Sequence, residues 1–280
     1  MHKHLEKYSF YEIIFITINL SRSADFERKA SMSKCAIILA GGEGKRMQSE
    51  KPKTLCEVLS KPMLRWVMDA VREAGIEDIC VVKGYRAEYI DEYVSTLPFK
   101  VETVLQSERL GTGHAVMMAR DFLKSRGGSV VILGGDAPFI DSETISDSYN
   151  QHSSTESSAT VISASVEDAT GYGRVVRNED GSLSAIIEHK DADEEIRKIN
   201  EINSGAYWFE VEALLSVLDR ITANNKAAEY YLPDALKLII GDGMKAGAFV
   251  AKTPDVALGA NDPAQLQELN EIAIAKGYGK

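Results

Sequence analysis

Between Leu39 and Leu55 the chain reads LAGGEGKRMQSEKPKTL. Three glycines, Gly41, Gly42 and Gly44, are followed at short spacing by Lys45, Arg46, Lys51 and Lys53. A glycine-rich turn leaving an apolar strand lets backbone N–H groups approach a ligand, because no Cβ intervenes, and such clustered N–H groups hold anionic oxygens. Arginine and lysine beside it add the charge that phosphate requires. Two familiar phosphate-binding schemes fail here. The loop G-x-x-x-x-G-K-[ST] can be laid on Gly44–Lys45, but Leu39 then stands at its first glycine and Arg46 where a hydroxyl is needed. The fingerprint G-x-G-x-x-G begun at Gly42 ends on Met47. The turn therefore binds phosphate by another scheme, with Arg46 and Lys53 supplying the charge.

This local basic cluster sits in an acidic chain of 280 residues with formal net charge −10. That balance disfavours non-specific binding to nucleic acid or an anionic membrane, both of which need a broad basic surface, and suits a small anionic ligand. No run of about 18 apolar residues exists, so no membrane-spanning helix is expected. The three cysteines, Cys35, Cys56 and Cys80, are odd in number and far apart, which fits neither a disulfide framework nor a zinc site. They read as reduced thiols of a cytoplasmic protein. The N-terminal MHKHLEKYSFYEIIFITINLSRSA has a basic start and a short apolar core, the outline of a leader. Glu12 interrupts it, however, and no A-x-A site follows, whereas MSKCAIILAGG from Met32 resembles an ordinary protein start. Residues 1–33 are expected to be an extension outside the fold, with a leader as the alternative.

The elements that must position the turn follow from periodicity. CAIILA (35–40) is a continuous apolar run of the kind buried on both faces in a parallel sheet. KPMLRWVMDAVREAG carries Leu64, Val67, Met68 and Val71 at helical spacing, with Pro62 at its start and Gly75 at its end. IEDICVVKG is the next strand, then a helix over about 87–96, a strand VETVL, a helix over about 113–123, and the strand SVVILGGD. Strands alternating with helices predict an α/β fold with a Rossmann-like, mostly parallel central sheet flanked by helices. The second half changes character: a strand in SSATVISASVED, a hairpin in GRVVRNEDGSLSAIIEHKD turning at NEDG, a strand in EINSGAYWFEV, a helix in YYLPDALKLIIGDG, a strand in KAGAFVAK and a last helix in DPAQLQELNEIAIAKG. No internal repeat is visible.

LAGGEGKRM followed by KPKTL resembles the signature L-A-x-G-x-G-t-R-M … P-K-x-L of the sugar-1-phosphate nucleotidylyltransferases. LQSERLGTGHAV, GGDAPFI, DATGYGRVVR, IIEHKDAD, KINEINSGAYWF, NNKAAEYYLPDAL and GAND stand in the order and spacing of one branch. That branch is the uridylyltransferase domain of bacterial bifunctional N-acetylglucosamine-1-phosphate uridylyltransferases/glucosamine-1-phosphate acetyltransferases. The resemblance spans about residues 35–262. It implies a single nucleotidylyltransferase domain over 34–280, with the hairpin region inserted for the sugar; no six-residue repeat is visible, so a β-helix acetyltransferase domain is not expected. It also implies transfer of UMP from UTP to N-acetylglucosamine-1-phosphate, releasing pyrophosphate.

The implied roles fall residue by residue. Arg46 and Lys53 are the catalytic pair, since phosphoryl transfer depends on positioning and charge neutralisation rather than on a protein nucleophile. Asp136 and Asn261 hold Mg²⁺, whose remaining positions phosphates and water fill. Leu39, Ala40, Gly41, Gly42, Gln106, Gly111, Thr112 and Gly135 hold the nucleotide. Gly173, Glu188 and Asn203 hold the amino sugar. Three positions depart from the family pattern: Gly41 for the usual alanine, Lys45 for the usual threonine, and Gly134 where an aromatic residue often precedes GD. They leave room for a relative of the same fold with a different sugar phosphate or nucleotide. A non-catalytic sugar-nucleotide sensor is a third possibility, though it would have no need of Asp136. Read without the resemblance, His114 is a helix-start residue with a local hydrogen bond, Asp136 is a strand terminator, Asn261 is a helix cap, and EYYLPDAL is structural.

Overall fold

The computed structural model describes residues 33–225 and 227–279. The expected N-terminal extension lies outside them except for Ser33. The Ser33 carbonyl accepts the Ser129 N–H at 3.0 Å, so this residue already belongs to the sheet.

Eleven strands and nine helices follow in the described chain. The strands are β1 Lys34–Ala40, β2 Glu57–Val58, β3 Lys61–Pro62, β4 Asp78–Lys83, β5 Glu102–Leu105, β6 Ser129–Gly134, β7 Ala159–Ser165, β8 Arg174–Arg177, β9 Leu183–Ile187, β10 Glu201–Glu210 and β11 Ala246–Val250. The helices are α1 Met63–Glu73, α2 Ala87–Ser95, α3 Thr112–Met118, α4 Arg120–Arg126, α5 Ser142–Ser154, α6 Glu194–Arg197, α7 Val211–Leu218, α8 Pro233–Gly241 and α9 Pro263–Lys276.

The central sheet runs β11-β7-β10-β6-β1-β4-β5, and the β8–β9 hairpin joins it through β10. The pairs β6–β1, β1–β4, β4–β5 and β7–β11 are parallel; β10 runs antiparallel to both β6 and β7. The sheet is thus mixed and mostly parallel, as its alternating pattern predicts. Helices cover both faces, which is why β1 is apolar from Cys35 to Ala40. Cys35 and Ile37 enter one core, and Ala36, Ile38 and Ala40 the other. Burial pushes the Cys35 and Cys80 thiols up to about 12, and all three cysteines are free. Trp208 is wholly buried, with its indole N–H donating to Ser148 Oγ at 2.9 Å. Truncating such a side chain to alanine costs about 3–5 kcal/mol.

The chain leaves β1, builds β4 and β5 on one side of it, and returns to lay β6 on the other. The carboxyl ends of β1 and β6 therefore flank a topological switch point, where open α/β sheets form a ligand crevice. The glycine-rich turn follows β1, and Asp136 follows β6, so the fold delivers both to that crevice.

Three elements differ from the sequence reading. The helix expected over 113–123 is two helices with a corner at Ala119 (φ −87°, ψ 13°), where its N–H bonds back to Val116 and tightens the last turn. Helix α5 has weak apolar periodicity; Asp141 starts it by accepting the Thr144 N–H at 2.6 Å. The β2–β3 hairpin turns through Leu59 and Ser60, both at positive φ without a glycine. Among the described residues, no helix is long and apolar enough to cross a membrane.

Candidate active site

Lys53 opens a short 3₁₀ turn after Pro52, and its stem lies across the glycine-rich turn. Gly44 has φ +58°, and a Cβ there would stand 2.9 Å from Lys53 Cβ, so glycine meets both the left-handed backbone and the close approach. Guided along this groove, the Lys53 ammonium ion-pairs with Asp136 Oδ2 and donates to Asn261 Oδ1 at 3.0 Å. Residues 53, 136 and 261 are thus brought to one point from three distant parts of the chain. Asn261 is not the helix cap: Asp262 caps α9 by accepting the Gln265 N–H at 2.9 Å, and Gln265 accepts the Asn261 N–H at 2.8 Å. The Asn261 side chain is therefore left facing Lys53.

Arg46 lies in the short 3₁₀ turn Lys45–Met47, exposed at the lip, with no hydrogen bond or ion pair among the described residues. The structure does not bring it to the Lys53 cluster by any direct bond. Glu43 ties the lip together instead, pairing with Arg109 at 3.2 Å and Lys45 at 3.5 Å. Arg109 is a cationic neighbour that sequence reasoning missed, because only the fold sets its loop against Glu43.

The expected nucleotide residues sort by what their groups already do. Leu39 is registered with Val82 and Gly134 on its two sides, and Ala40 is buried; both are strand residues. Gly135 donates its N–H to the Leu39 carbonyl at 2.9 Å, closing β6 onto β1. Gly41 and Gly42 form the turn itself. Gln106 follows β5, is buried, and donates Nε2 to the Gly111 carbonyl at 3.0 Å. Gly111 has φ +106°, and a Cβ there would meet the Tyr230 carbonyl at 2.6 Å. The Thr112 hydroxyl accepts the Leu232 N–H at 3.0 Å. Together with the bonds Tyr230 N–H to Leu110 and Gly113 N–H to Tyr230, both 2.7 Å, these contacts clamp residues 230–232 onto residues 110–113. EYYLPDAL is structural as expected: Pro233 opens α8, and residues 230–232 bond to Leu110, Thr112 and Gly113.

Gly173, Glu188 and Asn203 come together on the other flank. The Asn203 N–H donates to the Gly173 carbonyl at 2.9 Å, and a Cβ at Gly173 would stand 3.1 Å from Glu188 Oε1. Asn203 opens a bulge in β10, where the register on β7 shifts before Ala206; its amide donates to the Tyr207 hydroxyl at 2.7 Å. Bulges re-aim side chains beside functional sites. Burial, then Asp191 and Asp234, hold the Glu188 carboxyl above its ordinary value, and burial does the same for Asp234. Tyr231 is raised by burial first and then by Glu229, Glu188, Asp191 and Asp234. The crevice therefore has a cationic side and an acidic side, where the Glu188 and Asp234 carboxyls are held above their ordinary values. Asp234 and Tyr231 belong to the second, which the sequence did not reveal. A cavity of about 360 Å³ lies away from all these residues, at the amino ends of β4 and β5, where Asp78 and Glu102 occupy Arg126.

An open mixed sheet with a glycine-rich cationic turn and an acid–amide pair at its switch point is the frame of an enzyme acting on nucleoside phosphates. The chain belongs to the nucleotidyl transferase family, whose model matches residues 35–256. It is 47% identical over 241 residues to the bifunctional protein GlmU of Clostridium beijerinckii, covering 86% of this chain and 52% of that protein. It is 45% identical over 237 residues to the GlmU of Acetivibrio thermocellus, covering 85% of this chain and 51% of that one. The chain thus spans about half the length of these relatives. Among solved structures, a Bacillus anthracis protein named as a glucose-1-phosphate thymidylyltransferase, with sucrose bound, matches 89% of this chain and 98% of its own. Its TM-score is 0.71 at 20% identity, a likeness of fold.

Proposed function

We propose that the chain transfers the uridylyl group of UTP to N-acetylglucosamine-1-phosphate, giving UDP-N-acetylglucosamine and pyrophosphate. The observation that carries this reading is convergence: motifs resembling the uridylyltransferase domain, scattered from Leu39 to Asn261, meet around one crevice. A phosphate oxygen of the sugar phosphate attacks the α-phosphorus, a P–O bond forms, and the bond to the β-phosphate breaks as pyrophosphate leaves. No protein nucleophile is needed, and the chain's work is to orient two anions and offset their charge. Arg46, exposed at the lip, offers a guanidinium fork to phosphate oxygens. Lys53 offers a compact charge on a stem held in place by Gly44. Glu188 and Asn203 face the sugar, with carboxyl and amide groups suited to hydroxyls.

The residues present fit a divalent cation. Asp136 offers a carboxylate and Asn261 turns its amide oxygen the same way, and both already converge on one cation, the Lys53 ammonium. A Cβ at Gly134 would come within 2.9 Å of Asp136 Oδ1, so glycine keeps the space beside this carboxylate clear. When bound, Mg²⁺ would neutralise triphosphate charge. Asp136 and Asn261 would hold the ion, and the Lys53 ammonium would then be available to the phosphates.

Pyrophosphate release measured across UTP, dTTP, CTP, ATP and GTP, each with several sugar-1-phosphates, tests the reading. Highest kcat/KM with UTP and N-acetylglucosamine-1-phosphate is expected. A different best pair would move the chain to another specificity within the family, and no turnover with any pair would favour a sensor.

A further inference from the structure

Arg174 is 2% exposed, yet it makes no ion pair with a carboxylate among the described residues. A buried guanidinium is costly unless oxygens hold it. Here the oxygens are main-chain carbonyls of two separate segments. Nη1 donates to the Tyr172 carbonyl, Nη2 reaches the Arg197 carbonyl at 3.5 Å, and Nε has no acceptor among the described residues. Asp168 is the nearby counter-charge: its carboxyl is held below its ordinary value first by its bonds to Thr170, then by the charges of Arg174 and His189. The side chain is therefore a cross-tie between the loop before β8 and the end of α6, not half of an ion pair.

What the tie holds follows from register. Arg174 stands opposite Ile187 of β9 and Ile202 of β10. One step along both antiparallel ladders, Gly173 stands opposite Glu188 and Asn203. The Asn203 N–H bond to the Gly173 carbonyl at 2.9 Å and the 3.1 Å approach of a Gly173 Cβ to Glu188 Oε1 fit that row. The three residues expected at the sugar are thus one cross-strand row, directly beside the row of Arg174. Successive residues of a strand face opposite ways, so the Arg174 side chain lies behind the face that Glu188 and Asn203 present. Both of its anchors bear on that row. Tyr172 precedes Gly173, and the Arg197 side chain reaches the His189 carbonyl, next to Glu188, at 3.5 Å.

We propose that Arg174 is a positioning residue for the sugar phosphate: from the back of the sheet it fixes the spacing of the row Gly173, Glu188 and Asn203 that meets the sugar. This inference rests on the sugar roles proposed above for those three residues. A planar fork holds two carbonyls at a set separation, whereas an ammonium is a point charge that can serve one of them at a time. Without the fork, the loop before β8 and helix α6 lose their common anchor and shift independently. No bond links Arg174 to the glycine-rich turn or to Lys53 among the described residues, so the effect falls on the sugar side of the crevice.

Steady-state kinetics on the whole chain test the proposal with wild type, Arg174→Met, Arg174→Lys and Asp193→Ala, each checked by melting temperature. Arg174→Met is expected to raise KM for N-acetylglucosamine-1-phosphate about tenfold, equivalent to about 1.4 kcal/mol, while KM for UTP holds. Arg174→Lys recovers part of that rise. Asp193→Ala removes, from an exposed position, the carboxylate that starts α6 by accepting the Ile196 N–H at 2.8 Å. With Arg174 intact, it should raise the same KM about threefold, and it decides the matter should Arg174→Met fold poorly. Calorimetric binding of UDP-N-acetylglucosamine and of UTP reads the same split without turnover. An unchanged KM for the sugar phosphate in Arg174→Met, or in Asp193→Ala where that variant decides, overturns the proposal. An equal rise in KM for UTP also overturns it, since a merely structural loss weakens both substrates alike. A wild type that prefers another sugar phosphate would refute the N-acetylglucosamine reading alone, and the split would then be read on that substrate. A wild type that neither turns over nor binds any sugar phosphate or sugar nucleotide would end both.

Discussion

Replacing Lys53 with methionine keeps an unbranched stem over Gly44 and removes one charge. The consequence for metal binding can be worked from three atoms. In the free protein the Lys53 ammonium occupies the point where Asp136 Oδ2 and Asn261 Oδ1 converge. The Lys53 and Asp136 side chains are only 16% and 26% exposed, so solvent screens the pair weakly. A hydrogen bond to a charged partner contributes about 1.5–3 kcal/mol net. A divalent cation entering the free protein must displace that contact. Lys53→Met removes the competitor, so Mg²⁺ is expected to bind the nucleotide-free variant roughly 10–100-fold more tightly than wild type. Turnover moves the other way. On the proposed reading Lys53 also supplies catalytic charge, so kcat at saturating Mg²⁺ is expected to fall by about 10²–10³, the scale of losing one preorganised electrostatic contact. Calorimetric Mg²⁺ titration without nucleotide, paired with pyrophosphate release, reads both quantities. Unchanged metal affinity would falsify the shared-site argument, and a wild-type rate would place the catalytic charge elsewhere. Asp136→Asn is the control: it should bind Mg²⁺ more weakly.

Other outcomes follow from the same geometry. Arg46→Ala should lower kcat by about 10²–10³ without changing the melting temperature, since Arg46 makes no bond within the described fold; Arg46→Lys should not restore the rate, because an ammonium cannot replace the fork. Gly111→Ala combines φ +106° with a Cβ 2.6 Å from the Tyr230 carbonyl and should cost at least about 2 kcal/mol, roughly 4–8 °C in melting temperature. Gly171→Ala, at φ +86° with open space, should cost less, and equal melting of the two variants would discount the clamp. Glu188 has a folded-state pKa above its unfolded value, so the folded state binds the extra proton and stability falls as pH rises from the unfolded value near 4.3 through the raised one. Glu188→Gln should therefore raise the melting temperature at pH 7.5, with the gain vanishing near pH 4, while weakening sugar-phosphate binding; a gain constant across that range would contradict the burial argument.

The parallel half of the fold was legible because its strands are buried on both faces and its helices keep one apolar stripe. CAIILA and SVVILGGD announce both a strand and the site at its end. Helix α5 was not legible: SETISDSYNQHSS lacks an apolar stripe, and its buried positions include Ser148 and His152, which are satisfied by bonds only the fold can make. The hairpin turn at Leu59–Ser60 carries no glycine or asparagine, and Leu59 is instead supported by its N–H bond to Asn270 at 2.9 Å, 211 residues away. At the site, residue types revealed the cations, and motif order supplied Asp136 and Asn261. The clamp by residues 230–232, the Arg109–Glu43 tie and the bulge at Asn203 are invisible locally, because each joins segments with no short-range reason to meet.

The division of charge across the crevice has a directional consequence. Arg46, Lys45, Arg109 and Lys53 stand on the β1 side, while Glu188, Asp191, Asp234 and Tyr231 gather on the β9–α8 side. An anion is attracted to the first group and repelled by any ionised member of the second. On the proposed reading, this division of charge favours a triphosphate lying with its phosphates along the glycine-rich turn. Neutral sugar hydroxyls meet the opposite preference: they donate to carboxylates and accept from a carboxyl that keeps its proton. Burial, then Asp191 and Asp234, hold the Glu188 carboxyl above its ordinary value, so its surroundings disfavour its ionised form. On the proposed reading, the order in which the fold lays β6 beside β1 and β10 beside β6 sets these two flanks apart and thereby orients the two substrates.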